Sequence, residues 1–279
     1  MQWNDPEKVQ SDQNMTANAK KNRAEYGVDR PALVTTEIKR MTEADRIKNE
    51  LKNVLQLSLT DEQAEQLDKF YKMICEKNKV MNLTRITDFE DALKKHIADS
   101  LSLVRAAELP GDVHSVLDMG SGAGFPGMPV KIVWPDLNVT MMDSVGKKMA
   151  FIDTVIQTLH LTDVRAVHAR AEEAARKTAY REHFDLCLSR AVANLATLSE
   201  YCLPFVRIGG RFAAYKAADS DQEIQRSEKA IRALGGEIEE VRDFDLYDLK
   251  RRIIVIRKIK PTSGIYPRKA GTPSREPIQ

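Results

Sequence analysis

The stretch from Val116 to Gly127 constrains the fold of this chain more than any other part of the sequence. An apolar run ends in Asp118, a glycine-rich loop follows, and Pro126 opens a predicted helix. Glycine allows positive φ and leaves room for a ligand at the backbone, and proline suits the first turn of a helix. The pattern predicts a strand, a tight loop and a helix N-terminus, which together form the nucleotide-binding corner of an α/β sheet.

Two classes of ligand bind at such a corner, and the glycines alone do not decide between them. The spacing Gly122-x-Gly124-x-x-Gly127, with Asp143 following at the distance of a ribose-binding acid, matches the dinucleotide pattern. Asp118, expected at the mouth of the loop, would repel a pyrophosphate but suits a ligand that carries an ammonium group. S-adenosylmethionine carries an ammonium and a sulfonium group, so these residues favour a methyl donor over a dinucleotide.

Charge is balanced over the whole chain but not along it. The net charge is +2 over 279 residues, whereas residues 251–279 carry eight basic side chains and one acid, Glu276. A basic end on a balanced chain is a candidate nucleic-acid contact, and a solvated tail is the alternative interpretation.

The three cysteines, Cys75, Cys187 and Cys202, are far apart, and none belongs to a C-x-x-C pair. We therefore expect buried thiols of a reducing compartment and no metal site. The N-terminus lacks the apolar core of a signal peptide, and no apolar run reaches the length of a membrane span. These features predict a cytoplasmic protein without membrane contact, and we expect a monomer.

Composition and pattern divide the chain into four segments. Two capping boxes, Thr60-x-x-Gln63 and Thr87-x-x-Glu90, mark helix starts before the glycine loop. The N-terminal end is polar and has neither a helical nor a strand period. The predicted segments are a disordered extension (1–40), a helical N-terminal region (41–110), a methyltransferase domain (111–260) and a basic C-terminal tail (261–279).

Strand and helix patterns alternate after the helical region. Gly209 and Gly210 are predicted to stop the helix over 194–206 just before its strand. The last two strands, 237–242 and 252–257, are close enough for a hairpin. Five βα units closed by an antiparallel pair indicate a Rossmann-like α/β sheet of the class I S-adenosylmethionine-dependent methyltransferases, whereas a dehydrogenase half would continue with parallel units. The earlier strands are predicted at 113–118, 137–142, 163–168, 184–189 and 211–215.

Ligands of such a sheet bind above the carboxyl ends of its strands, so the residues at the strand ends are the candidate site. Asp143 could accept both ribose hydroxyls, with a helix cap as its alternative role. Ala171 and Glu172 are placed to meet an adenine amino group, and Arg190 is expected to face the pocket. Lys216 could hold a substrate phosphate or extend along the surface. The first strand and its loop contribute the cofactor candidates Asp118, Gly120, Ser121, Gly122 and Gly124.

The residues after the fourth strand limit the atom that can be methylated. Amino-group methyltransferases often carry Asn-Pro-Pro-aromatic there, whereas this chain has the sequence Ser-Arg-Ala-Val at 189–192. None of the cysteines follows a proline, as the nucleophile of pyrimidine C5 enzymes commonly does. Hydroxyl methylation would need a base, for which Lys216 stays open. Guanine N7 is an acceptor compatible with these residues, because its lone pair needs only alignment with the methyl group and no general base.

Further motifs occur from about residue 60 to the end of the chain. They are Asp-Met-Gly-Ser-Gly-Ala-Gly-Phe-Pro-Gly (118–127), Met-Asp-Ser-x-Gly-Lys-Lys (142–148), Ala-Arg-Ala-Glu-Glu (169–173), Ser-Arg-Ala (189–191), Pro-Arg-Lys-Ala-Gly-Thr-Pro (267–273), Asn82-Leu83-Thr84 and His96-x-x-Asp99-Ser100-Leu101. Together they resemble ribosomal RNA small subunit methyltransferase G, the GidB family, in which residues 1–40 have no counterpart. The resemblance implies S-adenosylmethionine-dependent N7 methylation of one guanine in 16S rRNA. It also implies that the cofactor site is lined by Gly120, Phe125, Ala171, Glu172 and Arg190.

Contact with RNA is expected from charge and geometry. The major groove of A-form RNA is too deep and narrow for an active site, so a guanine presenting N7 must lie in a loop or be otherwise exposed. Arg190, Lys216 and Asn82 are candidates for positioning it. Asn82 and His96 could each either position the base or hold the helical region to the core. The predicted phosphate contacts are Lys147, Lys148, Lys216, Arg268 and Lys269. The expected partner is 16S rRNA, alone, in an assembly intermediate or in the small subunit.

Two other functions stay open. A methyltransferase for a small molecule or a protein would share the cofactor site, and its basic tail would be incidental. An NAD-binding Rossmann module would bind the dinucleotide and not S-adenosylmethionine. A salt-sensitive affinity for RNA would favour rRNA methylation over both alternatives, because phosphate contacts release counterions.

Overall fold

The computed structural model describes residues 41–105, 111 and 113–278, so the predicted disordered extension over 1–40 lies outside the described residues. A seven-stranded sheet forms the centre of the described fold. Its strands are β1 Ser115–Met119, β2 Asn138–Asp143, β3 Val164–His168, β4 Phe184–Arg190, β5 Val206–Ala217, β6 Gly236–Leu246 and β7 Leu249–Lys258. The order is β3-β2-β1-β4-β5-β7-β6, with β7 antiparallel to both of its neighbours and the other pairs parallel. This topology confirms the predicted sheet with its closing antiparallel pair.

Helices pack on the two faces of the sheet because successive strand residues point to opposite sides. Val116 and Val255 join one hydrophobic cluster, whereas Leu117 and Ile254 join the other. The helices are α1 Glu43–Leu55, α2 Asp61–Asn78, α3 Phe89–Ala92, α4 Asp99–Leu101, α5 Gly127–Val133, α6 Gly146–Thr158, α7 Ala171–Ala174, α8 Leu195–Cys202, α9 Asp221–Ala233 and α10 Thr272–Arg275. Within the described ranges, none of the helices combines the length and the apolar character needed to cross a membrane.

The N-terminal helices share a hydrophobic core with the sheet. Thr60 caps α2 through the predicted capping box, in which its side chain accepts from the N–H of Gln63 and Gln63 accepts from its N–H. The amide of Gln63 also donates to the carbonyl oxygens of Ile132 and Val133 at the end of α5. Phe70 of α2 is fully buried in the same cluster as the β1 and β2 side chains. One face of the glycine-loop region is therefore supported by the N-terminal helices.

The prediction that Gly209 and Gly210 stop a helix was wrong, because both lie inside β5. α8 already ends at Cys202, and the pairing of β5 with β4 shifts register near the start of the strand. Gly209 has a φ of +83°, and a Cβ on Gly210 would lie 2.7 Å from the carbonyl oxygen of Asp185. The two glycines are needed at a β-bulge, where the bulged residue and the close strand leave no room for side chains.

The second predicted capping box is displaced by one residue. Asp88, and not Thr87, caps α3 by accepting from the N–H of Asp91 at 3.1 Å. The helix then widens into a π-helical turn over Leu93–Ala98 before it continues as α4. A π turn inside a helix often occurs at a functional site, and this one borders the candidate site described next.

Candidate active site

The glycine loop after β1 is held by the end of β2. The N–H of Gly120 donates to the carbonyl oxygen of Met142 at 2.8 Å, and the N–H of Gly122 donates to Oδ2 of Asp143 at 3.0 Å. The φ values of Gly120 and Gly122 are +73° and +58°, which residues with a Cβ rarely adopt. Oδ1 of Asp143 accepts from the N–H of Val145 at 2.8 Å. Asp143 therefore orders the loop, and its carboxylate retains acceptor capacity for further donors such as ribose hydroxyls.

Asp118 lies behind the loop, fully buried, and not at the mouth where the sequence placed it. Its Oδ2 accepts from the N–H of Gly127 at 2.8 Å, and burial raises the pKa of Asp118 to about 7. Oδ1 of Asp118 and Oγ of Ser121 are buried and have no hydrogen-bond partner among the described residues. Buried polar atoms are normally paired, so these two oxygens retain acceptor capacity for a buried water.

A cleft of ≈ 830 Å³ opens above the loop, and we call it the glycine-loop cleft. Its size is within the range of small-molecule and cofactor sites. Gly120 and Asp143 border it from the β1 and β2 ends, and Ala171 and Glu172 border it from α7. These four residues were all predicted cofactor contacts. The predicted residues Ser121, Gly122 and Gly124 belong to the loop itself.

A second cleft of ≈ 470 Å³ lies above the ends of β4 and β5 and the start of β7, and we call it the arginine cleft. It shares Ala191 with the glycine-loop cleft, so the two are adjacent. Ala191 follows β4 directly and has a φ of +57°. The polar residues of the arginine cleft include Lys95, His96, Asp99, Arg190, Lys216 and Arg251. The arrangement places a cationic cleft beside the candidate cofactor cleft.

Arg190 is held in the arginine cleft by Asp99 and by the π-helical turn. Its Nη1 donates to Oδ2 of Asp99 at 2.7 Å and to the carbonyl oxygens of Lys95 and His96 at 3.3 and 3.4 Å. Arg251 Nε forms an ion pair with the other oxygen of Asp99 at 2.8 Å. The Asp99 side chain is only 7% exposed, so one buried carboxylate is shared by two guanidinium groups. This cluster keeps one positive charge in excess.

Phe125 connects the arginine cleft to the N-terminal helices. Its ring lies 5.1 Å from the ring of Phe70, stacks on His96 at 4.6 Å, and has Arg190 Cζ 5.4 Å from its centroid. Burial and the charge of Arg190 lower the pKa of His96 to about 4, so the imidazole is neutral near pH 7. Its Nε2 lies 2.8 Å from Oγ1 of Thr84. The stacked rings of Phe125 and His96 therefore pack against Arg190.

Two predicted RNA contacts are exposed, and a third borders the glycine-loop cleft. Lys147 at the start of α6 and Lys269 near the C-terminus are exposed. Lys148 is half-buried and borders the glycine-loop cleft. Asn82 is exposed in the segment before α3 and does not border either cleft. Of these lysines, only Lys148 borders the glycine-loop cleft, and the roles of all three in RNA binding stay predictions.

The other two predicted RNA contacts are engaged in ion pairs. Nζ of Lys216 donates to the carbonyl oxygen of Ala193 at 2.8 Å and to Oε1 of Glu223 at 2.6 Å. The guanidinium of Arg268 donates to both carboxylate oxygens of Glu200, at distances from 2.7 to 3.1 Å. Glu200 is fully buried. Arg268 therefore differs from the solvated tail residue that the charge pattern suggested.

Sequence reasoning missed Arg251 and the C-terminal wall of the glycine-loop cleft. Arg251 stands opposite Ala217 in the antiparallel pairing of β5 and β7, so only the hairpin register brings it to the site. Gly271 and Arg275 border the glycine-loop cleft, although the tail was interpreted only as basic. The Pro-Arg-Lys-Ala-Gly-Thr-Pro motif at 267–273 was the signal that could have indicated a site role.

Comparison with known proteins agrees with this geometry. The family model described as rRNA small subunit methyltransferase G, or GidB, matches residues 63–253. The ribosomal RNA small subunit methyltransferase G of Lachnoclostridium phytofermentans is 46% identical over 227 residues, which cover 80% of this chain and 93% of that protein. The protein of the same name from Brevibacillus brevis is 45% identical and is covered over 94% of its length.

Among solved structures, TYW2 of M. jannaschii in complex with AdoMet matches 54% of this chain and 72% of its own, with a TM-score of 0.44 and 14% identity. Precorrin-6y C5,15-methyltransferase of Geobacter metallireducens matches 64% of this chain, with a TM-score of 0.45 and 13% identity. The family match rests on the sequence relatives, which are covered almost over their full length. The chain belongs to the rRNA small subunit methyltransferase G family.

Proposed function

We propose that this protein transfers the methyl group of S-adenosylmethionine to N7 of one guanine in 16S rRNA. As a member of its family, the protein is an S-adenosylmethionine-dependent methyltransferase that acts on ribosomal RNA. The proposal adds the atom N7, the single guanine and the roles of individual residues. A cofactor-sized cleft that shares one residue with a cationic cleft is the observation that supports it most directly.

The residues of the glycine-loop cleft fit S-adenosylmethionine. Asp143 would accept the ribose hydroxyls, while its hydrogen bond to Gly122 keeps the loop in place. Oδ1 of Asp118 and Oγ of Ser121 lie beneath the loop, outside the lining of the cleft, and lack partners among the described residues; we propose that a water links them to the ammonium end of the ligand. Ala171 lies at the start of α7, beyond β3, on the side expected for adenine. When bound, the cofactor supplies an electrophilic methyl group.

The arginine cleft supplies positioning and charge for the acceptor. Guanine N7 already has a free lone pair in the plane of its ring, so the residues need to align it and not to remove a proton. Arg190 is fixed by Asp99 and by two backbone carbonyl groups, which hold its guanidinium in the arginine cleft, next in sequence to Ala191, the residue that both clefts share. Lys216 is paired with Glu223 and is therefore poorly suited to act as a base. These features support an acceptor that is nucleophilic without deprotonation.

The target guanine has to be unpaired or extruded to reach the arginine cleft, since N7 is inaccessible inside an A-form helix. The excess positive charge of the Arg190, Asp99 and Arg251 cluster would attract the phosphodiester backbone next to the base. Lys147 and Lys269 are exposed and are further candidates for phosphate contacts. We propose 16S rRNA, within the small subunit or an assembly intermediate, as the partner of a monomeric, cytoplasmic enzyme.

A methyl-transfer assay tests this function. Labelled S-adenosylmethionine is incubated with small subunits, and separately with naked 16S rRNA, from cells that lack the protein, and nucleosides are then analysed by mass spectrometry. The expected product is 7-methylguanosine at one position, lost with Asp143→Ala and Arg190→Ala. Arg242→Ala is the matched control, because Arg242 lies on the edge strand β6 and pairs with Glu240. Label in another nucleoside, or in no RNA, would contradict the N7 assignment.

A further inference from the structure

The last segment of the chain, residues 262–275, is held closely against the domain, and we call it the C-terminal strap. Arg181 donates to the carbonyl oxygens of Thr262 and Tyr266 at 2.8 and 3.0 Å. Arg176 donates to the carbonyl oxygen of Pro267 at 2.5 Å. Side chains that follow α7 therefore fix the first half of the strap through its backbone carbonyl groups.

A buried ion pair then holds the middle of the strap. Glu200 of α8 accepts from the backbone N–H of Arg268 at 2.7 Å and from its guanidinium through both carboxylate oxygens. The Glu200 side chain is 1% exposed and the Arg268 side chain 27% exposed. A buried carboxylate is strongly destabilised when its partner is removed. The pair therefore fixes the position of Arg268 relative to α8.

The residues that follow Arg268 border the glycine-loop cleft. The N–H of Gly271 donates to Oε1 of Glu172 at 2.9 Å, and Oγ1 of Thr197 donates to the carbonyl oxygen of Pro273 at 2.9 Å. Ala270, Gly271, Ser274 and Arg275 border the same cleft as Gly120, Asp143 and Ala171. The strap is therefore one wall of the cleft, and Glu172 is the residue through which the wall meets α7.

The topology of the sheet indicates which end of the cofactor this wall meets. β3 lies on the far side of β2 from β1, and a ligand above the strand ends extends from the glycine loop after β1 toward the end of β3. The ammonium end of the cofactor then lies at the glycine loop, and the ribose lies at Asp143, the last residue of β2. The adenine lies beyond Asp143, toward the end of β3. Gly271 contacts Glu172, which lies just after β3. The wall therefore faces the adenosine end.

We propose that residues 270–275 form the outer wall of the adenosine pocket and that the Arg268–Glu200 pair positions this wall. The inference rests on the cofactor assignment of the proposed function and extends it to a segment that was expected to contact RNA. Arg268 is a positioning residue in this role, because it acts on the cleft through the backbone that follows it. Removing it should weaken the binding of cofactor and leave the binding of RNA unchanged.

Calorimetric titration with S-adenosylhomocysteine, which lacks the transferable methyl group, measures the effect of Arg268 on binding at the adenosine pocket. We expect Arg268→Lys, which keeps the charge but loses the two-pronged hydrogen bonds, to raise the Kd about tenfold. A chain that ends at Pro267 should raise the Kd further. The KM for S-adenosylmethionine should rise in parallel while the KM for RNA and kcat stay within about twofold of wild type. Arg242→Lys, in an exposed pair on β6, is the matched control and should change nothing.

A purely structural role would give a different result. In that case Arg268→Lys would lower the melting temperature and the fraction of active protein, but the Kd for S-adenosylhomocysteine of the folded fraction would equal that of wild type. That outcome would overturn the proposal, as would a raised KM for RNA with an unchanged Kd for the cofactor product. If wild-type protein itself fails to bind S-adenosylhomocysteine, the cofactor assignment falls first and the strap proposal falls with it.

Limited trypsin digestion gives a second readout that needs no activity. Lys269 and Arg275 are cleavage sites within or next to the wall, and Lys79, at the end of α2, is an exposed site away from both clefts. Saturating S-adenosylhomocysteine should slow cleavage at Lys269 and Arg275 and leave cleavage at Lys79 unchanged. Equal rates at Lys269 and Arg275 with and without the ligand would contradict a wall in contact with it.

Discussion

Asp118 and Gly127 are joined across the glycine loop, because Oδ2 of Asp118 accepts from the N–H of Gly127 at 2.8 Å. The acid at the end of β1 is thus tied to the first residue of α5, and Asp143 holds the middle of the loop through Gly122. The loop is shaped by two carboxylates of the protein itself. This preorganisation reduces the ordering that a bound cofactor would otherwise have to impose.

Gly127→Ala should disrupt this contact. A Cβ at position 127 would lie 2.6 Å from Oδ2 and 2.9 Å from Cβ of Asp118, closer than real atoms approach. Overpacking of this kind costs about 1–3 kcal/mol, and the loop would shift with the carboxylate. We expect a lower melting temperature and a weakened binding of S-adenosylmethionine in calorimetry. Gly264→Ala, where a Cβ meets nothing within 4 Å, is the control and should behave like wild type.

The raised pKa of Asp118 should make the folded protein less stable as pH rises. Burial lifts this pKa from 3.8 to about 7, so between those values the folded state holds a proton that the unfolded state has released. Stability from this group is therefore lost as pH increases from about 4 to about 7. Asp118→Asn removes the effect.

The difference in melting temperature between Asp118→Asn and wild type, without cofactor, measures this prediction. The variant should gain stability relative to wild type from pH 4 to 7, by an amount on the order of a few kcal/mol at the upper end. A difference that does not change with pH would show that Asp118 is ionised in the folded state.

The lowered pKa of His96 should make the folded protein less stable as pH falls, which is opposite to the effect of Asp118. Its pKa falls from 6.5 to about 4, first through burial and then through the charge of Arg190. Between these values the unfolded state binds a proton that the folded state excludes, so stability is lost as pH falls from about 6.5 to 4. In His96→Gln this loss should be absent, which urea unfolding at pH 4.5 and pH 7 would detect. An equal drop in both proteins would refute the assignment.

Replacing Arg190 with lysine tests the geometry of its guanidinium and not its charge. All three contacts are made by Nη1, whereas a lysine side chain is shorter and lacks the planar guanidinium, whose Cζ lies 5.4 Å from the centroid of the Phe125 ring. We expect kcat/KM for rRNA methylation to fall at least tenfold. Arg207→Lys is a matched control, because Arg207 pairs with Asp185 at the other end of β4, and it should retain activity. Similar losses in both variants would argue against a specific role.

Lys216→Met separates N7 methylation from chemistry that needs a base. A general base contributes about 10²–10⁴-fold to a rate and leaves a pH-dependent limb. Lys216 instead pairs with Glu223, so the variant should lose less than tenfold in kcat and keep the pH–rate profile of wild type. A loss of two or more orders of magnitude, together with loss of the acidic limb that a general base gives to the pH–rate profile, would favour hydroxyl methylation.

The succession of strands and helices along the chain and the cofactor loop could be predicted from the sequence because both are local patterns. The apolar run before Asp118, the glycines and the helix after Pro126 lie within one short segment, and the alternation of strands and helices follows from periodicity. The predicted roles of Asp143 and Glu172 also follow from their positions at the end of β2 and just after β3. Those roles stay predictions, although both residues border the cofactor-sized cleft.

The features that were missed depend on contacts between distant segments. Gly209 and Gly210 have the composition of a helix end, and only the close approach of Asp185 on β4 explains why they form a bulge. The charge of Arg268 suggested solvent or RNA, whereas its partner Glu200 lies 68 residues earlier in the chain. A single sequence gives the charge of a residue but does not identify which distant group neutralises it.

The π-helical turn over Leu93–Ala98 also sets the rotational phase of the residues after it. A turn that holds one extra residue rotates the following side chains by about 100° relative to an uninterrupted α-helix. Asp99 and Ser100 follow immediately: the Asp99 carboxylate accepts from Arg190, and the backbone carbonyl of Ser100 accepts from the hydroxyl of Tyr215. A one-residue deletion in the turn would preserve both residue types but direct the carboxylate of Asp99 away from Arg190. The local length of the chain is thus as specific a requirement of this site as the identity of its side chains.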